Sequence, residues 1–573
     1  MISGRRRGAS PGLELPRNIP LLLRARATGP TRERIAFRLV DKLAETIDSL
    51  THAELWERAA AVADALEQDG VKPGDAVVLL METSLAFFAA LYGSLLAGAL
   101  PVAVYPPAGT QSLVPALDHL RKVLAQLPRG RAVLTTSTLA PIATEMRRGL
   151  SAVVRIIENS LSQRERVRVR VGPWPGEAVA PEEPVLLQYT SGSLGDPRAI
   201  ALSTQSIFAN LTEIGDAFGM REGDVGMSWL PLYHDMGLHS AFFGLMFEMP
   251  LVVMSPLDFI RRPQAWIQAI SKYRVTHSPA PSFGYAYAAR RIRDEDLQGI
   301  DLSSWRVAMC GAEPIDAGAL GRFADRFERY GFQRKAFMGA YGLAENTVAV
   351  SFAMPQTGLR VDGVASVGVP LGRHEVRIVG SDGDETPEGA EGEIQVRGPS
   401  RMASYLGNEA ATREAFDGEW LRTGDLGFAR DGELFITGRS KDLIIRAGKN
   451  YYPNDLEGAA ASVDGVRAGS VAAFGIRDAA KGTEEIVVVA EVKRRELAGD
   501  AGLRERIRKA VLELTGLAVN RVELAEPGAV PKTTSGKIRR GETRARLVAG
   551  TLAPPPKPGV SLLLRLALRR LRM

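Results

Sequence analysis

Cysteine is almost absent from this chain: 573 residues carry one, Cys310. That excludes an intramolecular disulfide and points to a reducing compartment. Its apolar surroundings, WRVAMCG, read as buried filler rather than as the setting of a nucleophile. Two familiar phosphate-binding signatures are missing as well. A Walker loop needs GxxxxGK followed by Ser or Thr, and the nearest Gly-Lys pairs, Gly448-Lys449 and Gly536-Lys537, continue into Asn450 and Ile538. A dinucleotide fingerprint needs GxGxxG, and Gly192, Gly195 and Ala199 do not supply it. The uncharged run from Ala86 to Tyr105 is long enough to cross a bilayer, but Gly93, Gly98 and Pro101 punctuate it, so it reads as a helix end followed by a buried strand. No apolar h-region lies between the N-terminal arginines and a cleavage site, so a secretory signal is not expected and a cytoplasmic setting is. No internal repeat is visible.

Positive charge is scarce where it would matter for nucleic acid. The chain is net +6, yet residues 1–34 alone are +6, from eight arginines against Glu14 and Glu33, and residues 551–573 add +5. The body between them is therefore −5. A mildly acidic body argues against a nucleic-acid groove, which gathers basic residues on its working surface. The basic ends suit anionic lipid instead. Ser561 to Met573 alternates leucine with arginine at roughly helical spacing, a pattern that fits either a docked tail or peripheral contact with a membrane.

What is present is a large globular composition, 45% apolar and 24% charged, too long for one core. From about residue 35 to 310, helical patterns such as THAELWERAAAVADALEQDG alternate with apolar runs such as DAVVLLM and PLVVMS, which indicates helix-covered sheets with parallel strands. Residues 375–434 change to short strands with Gly/Asp turns, a β-rich subdomain. A compact helix-and-strand pattern follows, with a boundary near Lys441. The expected architecture is thus α/β: a basic arm (1–34), a large N-terminal domain of mixed sheets (35–440), a small α+β domain (441–550), and a Pro-rich linker with a basic tail (551–573).

The stretch LLQYTSGSLGDPRAIALS, Leu186 to Ser203, combines an apolar strand with hydroxyls and glycines, residue types that let backbone N–H groups and side chains close on an anion. A flexible surface turn has the same composition. The decision comes from six further stretches in order: WLPLYHDMGL (229–238), GAEPI (311–315), YGLAEN (341–346), RTGDLGF (422–428), GRSKDLIIRAGKNYYP (439–453) and PKTTSGKIRR (531–540). Over residues 35–550 this set resembles the adenylate-forming, AMP-binding superfamily, and among its branches most resembles fatty acyl-AMP ligases.

That resemblance implies a mobile small domain, ATP and Mg2+ as cofactors, activation of a fatty acid to acyl-AMP, and acyl transfer to an acyl carrier protein or to CoA. It implies that Thr190, Ser191, Gly192, Ser193 and Gly195 wrap the β- and γ-phosphates beside Arg198. Glu345 would carry Mg2+, with Thr190 as a second ligand. Gly311, Ala312, Glu313, Tyr341 and Gly342 would line the adenine, with Tyr341 stacking on it, and Asp425 would accept the ribose hydroxyls. Arg439 and Lys441 would form the interdomain corner, with Lys441 the hinge, and Lys537 would be the catalytic lysine. His234 and Asp235 fall at the expected acyl entrance, although a histidine after Tyr233 is equally a structural one.

Two departures stand out. Leu194 and Ala199 replace the family's usual Thr and Gly, and Arg198 its usual Lys, which keeps the charge with another geometry. Fatty acyl-AMP ligases carry an extra segment after the YGLAE motif, whereas here Gly368 in SVGVP lies 23 positions after Glu345, a spacing typical of CoA ligases. A catalytically impaired acyl or adenylate binder and a membrane-associated scaffold are the competing classes. The joint retention of Glu345, Asp425, Arg439 and Lys537 opposes the first, and the motif set itself opposes the second.

Overall fold

The computed structural model describes the chain except for residues 5–14, 108–109, 128–129, 147–152, 158–171, 191–196, 447–448, 479–482, 534–535 and 555–573. Strands Ala76–Leu80, Leu100–Ala103, Gly130–Thr135 and Val153–Ile156 form a parallel sheet of four. Its central strand AVVLL is buried at every position, as a strand covered on both faces must be. The uncharged run noted above forms helix Leu85–Leu96, in which all 12 residues are buried, ended at Gly98 with φ +72° and followed by strand Leu100–Ala103. Its 12-residue length and its complete burial make it a core helix. Among the described residues no helix is long and apolar enough to cross a membrane.

A second, larger sheet has two halves. Strands Ile35–Val40, Leu251–Met254, Gly226–Ser228, His277–Ala280, Val307–Cys310 and Phe337–Tyr341 run parallel. Antiparallel pairing then continues through Ser351–Phe352, Val364–Pro370, Glu433–Arg439, Trp420–Arg430, Gly392–Arg397 and Glu375–Val379. The β-rich segment is therefore joined to the parallel sheet edge to edge, through the two-residue strand Ser351–Phe352. Helix Asp235–Phe247 packs against strands of the parallel half and buries nine of its residues.

Residues 444–552 contribute to hydrophobic clusters that share no member with those of the preceding chain. Hairpin Val466–Asp478 and Thr483–Val492, joined in parallel by Arg521–Ala525, carries helices Pro453–Ala461 and Ala501–Thr515. The short turn Ser440–Asp442 links this unit to strand Glu433–Arg439.

The N-terminal arginines that are described have partners within the protein. Arg24 pairs with Glu177, Arg26 with Glu248 and two carbonyls at the end of helix Asp235–Phe247, Arg32 with Glu33, and Arg34 with Glu222 and Glu248. Arg17 donates to the Glu177 carbonyl. Asn18, fully buried, caps helix Ile19–Thr28 and donates to the carbonyls of Glu177 and Val179. Arg17, Asn18, Arg24 and Arg26 thus fasten the arm to its own protein, while Arg32 and Arg34 stay largely exposed. The C-terminal tail from residue 555 lies outside the described residues.

Candidate active site

The chemistry-bearing side chains gather beyond the carboxyl ends of the parallel strands, where open α/β sheets hold ligands. Strands Pro184–Thr190 and Arg198–Ser203 are antiparallel, with Thr190 directly opposite Arg198. The Ser/Gly turn between them, with Ser191, Gly192, Ser193, Leu194 and Gly195, lies outside the described residues. Thr190 and Arg198 therefore mark its two feet.

Strand Ser404–Tyr405 adds to the same small sheet, with Tyr405 opposite Ile200. The Arg198 guanidinium lies over the Tyr405 ring, 5.2 Å from its centroid, and the Tyr405 hydroxyl donates to Glu345 Oε1 at 2.8 Å. The Met402 amide donates to the Glu345 carbonyl at 2.7 Å, so Glu345 is held by both backbone and side chain. Burial pushes the Tyr405 phenol up, and the adjacent Glu345 carboxylate pushes the same way. Tyr405 escaped the sequence reading: a tyrosine in MASYLGN carries no local signal, and its role comes from strand pairing. Just upstream, a Cβ on Gly342 would stand 1.8 Å from the Val348 carbonyl oxygen, so only glycine fits there.

A second cluster is built on a cross-strand pair. Asp425 and Arg439 are register partners on neighbouring antiparallel strands, and Arg439 Nε donates to Asp425 Oδ1 at 2.8 Å. Tyr341, buried at the end of the last parallel strand, donates its hydroxyl to Asp425 Oδ2 at 2.8 Å. Each carboxylate oxygen thus keeps acceptor capacity beyond one bond. The Asp425 charge raises the Arg439 guanidinium further, against its desolvation. Tyr341 presents its hydroxyl to a carboxylate and belongs to the same buried cluster as Val350, Val367 and Ile394.

Gly311, Ala312 and Glu313 follow strand Val307–Cys310. A Cβ on Gly311 would meet the Ala340 carbonyl oxygen at 2.8 Å, and Ala312 takes φ +68°, a left-handed conformation uncommon for alanine. The turn aims Glu313 at the start of helix Ser282–Arg291, where Oε1 accepts the Phe283 amide at 2.9 Å. Burial raises the Glu313 carboxyl; that N–H and the nearby Lys537 charge counter it. His234 precedes helix Asp235–Phe247 and Asp235 begins it, with Nδ1 and Oδ1 3.8 Å apart. Burial would raise Asp235, but the His234 contact and charge, Lys537 and the Met236 amide leave it lowered overall.

Lys537 arrives from the C-terminal unit. Its loop is closed by the Lys537 amide on Thr533 Oγ1 at 3.0 Å and by the Thr533 amide on the Lys537 carbonyl at 2.7 Å. The ammonium retains solvent access in a cleft surrounded by protein, and desolvation lowers it; Arg439 lowers it too, while Asp235, Asp425 and Glu313 raise it. Lys441, in the linking turn, is lowered by desolvation and by Arg439, with Asp442, Asp425 and Glu345 opposing. The structure thus brings Asp235, Glu313, Asp425 and Arg439 within electrostatic reach of Lys537, with Lys441 linking Asp425 and Arg439 to Glu345. Among the described residues no cluster of three His, Cys, Asp or Glu side chains could hold a metal by protein ligands alone.

Comparison with known proteins fits this arrangement. The family model described as AMP-binding enzyme matches residues 23–406. A medium-chain-fatty-acid–[acyl-carrier-protein] ligase, JamA of Moorena producens, is 33% identical over 91% of this chain and 93% of its own length. A putative acyl-CoA synthetase of Caulobacter vibrioides is likewise 33% identical, over 92% and 94%. A solved structure from a study of fatty acyl-adenylate ligases of E. coli and L. pneumophila superposes with a TM-score of 0.84 at 30% identity, over 94% of this chain and 99% of that one.

Proposed function

The chain belongs to the AMP-binding enzyme family, and on that premise we propose that it activates a fatty acid with ATP and then passes the acyl group to the thiol of an acyl carrier protein. The observation that carries the proposal is the entry of Lys537, from a separately cored unit, into the cleft of Asp235, Glu313, Asp425 and Arg439. A fatty carboxylate is already an anionic nucleophile, so the chemistry calls for positioning and charge neutralisation rather than a general base. The carboxylate oxygen attacks the α-phosphorus, the bond to the bridging oxygen breaks, and pyrophosphate leaves. Lys537 holds the attacking and α-phosphate oxygens. Arg198 and the turn after Thr190 hold the departing phosphates, and Asp425, steadied by Tyr341 and Arg439, accepts the ribose hydroxyls. In the second step the thiol sulfur attacks the acyl carbon, its proton passes to solvent, and AMP leaves.

The donors suit Mg2+. One carboxylate, Glu345, with the Thr190 hydroxyl as a second donor, matches a hard cation that completes its shell with phosphate oxygens and water rather than with a protein cage. When bound, the ion would neutralise phosphate charge. His234 and Asp235 are assigned to the acyl entrance, and residues 441–550 to a unit that pivots at Lys441.

A second reading, CoA as acceptor, is favoured by the 23-position spacing from Glu345 to Gly368, which the fold spans with a tight hairpin, Val361–Asp362 on Val364–Pro370, and no added segment. The Caulobacter relative's name points the same way. We assign the enzyme to the cytoplasm. Peripheral lipid contact falls to Arg5–Arg7 and the tail from residue 555, because Arg17, Arg24 and Arg26 are engaged within the protein.

The test is fatty-acid-dependent, Mg2+-dependent exchange of pyrophosphate into ATP, followed by mass spectrometry of products with carrier protein or CoA. Acyl-CoA formed as fast as adenylate, with no carrier protein acylated, would replace the first reading by the second. Absence of exchange with every fatty acid tried would favour an impaired binder.

A further inference from the structure

Arg540 lies three residues after Lys537, is 17% exposed, and opens helix Arg540–Val548. Its Nε and Nη2 donate to the two oxygens of Glu457 at 2.7 and 2.8 Å, a bidentate pairing that fixes the guanidinium plane. Nη1 donates to Asp442 Oδ2 at 2.7 Å, and Nη2 also donates to Asn454 Oδ1. Glu457 in turn accepts the Ala473 amide at 3.0 Å. One side chain therefore joins the base of the lysine loop, helix Pro453–Ala461, strand Val466–Asp478 and the linking turn Ser440–Asp442.

Asp442 is the residue after Lys441. Bound to Arg540, it belongs mechanically to the C-terminal unit, so rotation between the units is left to the backbone at or before Lys441. The Lys537 loop runs straight into Arg540, with the Arg539 amide donating to the Pro531 carbonyl at 3.0 Å, so it moves with the same unit.

We infer that Arg540 is a positioning residue for adenylation: through Asp442 and Glu457 it locks the Lys537 loop to the pivot, so that one rotation places or withdraws the lysine. This rests on the function proposed above. The two half-reactions separate this role from mere stabilisation, because only adenylation needs Lys537. Misplacing a reacting group by about 1 Å can cost ~100-fold; a lysine at position 540 keeps the charge but loses the fork.

Arg540→Lys should lower ATP–pyrophosphate exchange roughly tenfold or more, with KM for ATP and fatty acid within about twofold. Transfer from supplied acyl-adenylate to the thiol should persist. Asp442→Asn should show a smaller loss with the same split. Hydrogen exchange of the amides in residues 529–533 and 536–539, measured without substrate, should accelerate in Arg540→Lys, and this readout stands even if no fatty acid supports exchange in the wild type. Parallel loss of both half-reactions with a fall in Tm, unchanged pyrophosphate exchange in an active enzyme, or unaltered amide protection would each overturn the assignment.

Discussion

Replacing Lys537 by alanine removes the one described cation that the C-terminal unit is seen to bring near Asp235, Glu313 and Asp425. Two unit charges 4 Å apart interact by about 4 kcal/mol at an effective dielectric near 20. Loss of a preorganised group at developing transition-state charge typically costs about 2.7–4 kcal/mol. Exchange of pyrophosphate into ATP should therefore fall by at least ~100-fold in Lys537→Ala. The loss should appear in kcat more than in the KM for ATP, since Thr190, Arg198 and Asp425 remain to bind it. Transfer from supplied acyl-adenylate serves as the control for folding and should survive. Equal exchange in wild type and variant would refute the role given to Lys537, and equal loss of both half-reactions would show that the substitution disturbs the unit rather than the chemistry.

Three further outcomes are expected. Because Lys537 must be protonated and its pKa lies below the ordinary lysine value, exchange should decline as pH rises through a value below 10.5, and Asp235→Asn, which removes a raising charge, should move that decline to lower pH; an alkaline limb unchanged by Asp235→Asn contradicts the pairing. Tyr405→Phe deletes the 2.8 Å bond to Glu345, and hydrogen bonds to charged groups contribute about 1.5–3 kcal/mol, so half-saturation by Mg2+ should rise about tenfold with fatty-acid KM unchanged; an unaltered Mg2+ titration removes Glu345 from the metal site. Lys441→Pro fixes φ and removes an N–H at the pivot, so thiol transfer should slow more than adenylation, and equal effects on both would relocate the hinge.

Much of the candidate site was legible because its pieces are short and keep a fixed order along the chain. What escaped depends on pairing over long distances. Glu345 and Tyr405 are 60 positions apart and meet because strand Ser404–Tyr405 docks on Arg198–Ser203. No local periodicity encodes that docking. The β-rich segment read as a subdomain because its turns and short strands differ from the preceding pattern. Its attachment to the parallel sheet runs through two residues, Ser351 and Phe352, too short a strand to stand out by alternation.

Charge counting sees only one side of each pair for a related reason. Eight arginines in 34 residues suggested a surface for lipid, but a sequence tally cannot know which carboxylates lie opposite. Arg26 finds Glu248 at a separation of 222 positions, and the same guanidinium satisfies carbonyls that the end of helix Asp235–Phe247 leaves without intrahelical partners. Anchoring the far end of that helix supports its near end, where the Asp235 charge acts on Lys537. The basic arm therefore connects by a rigid element to Asp235, one of the charges that act on Lys537, a connection that composition alone does not show.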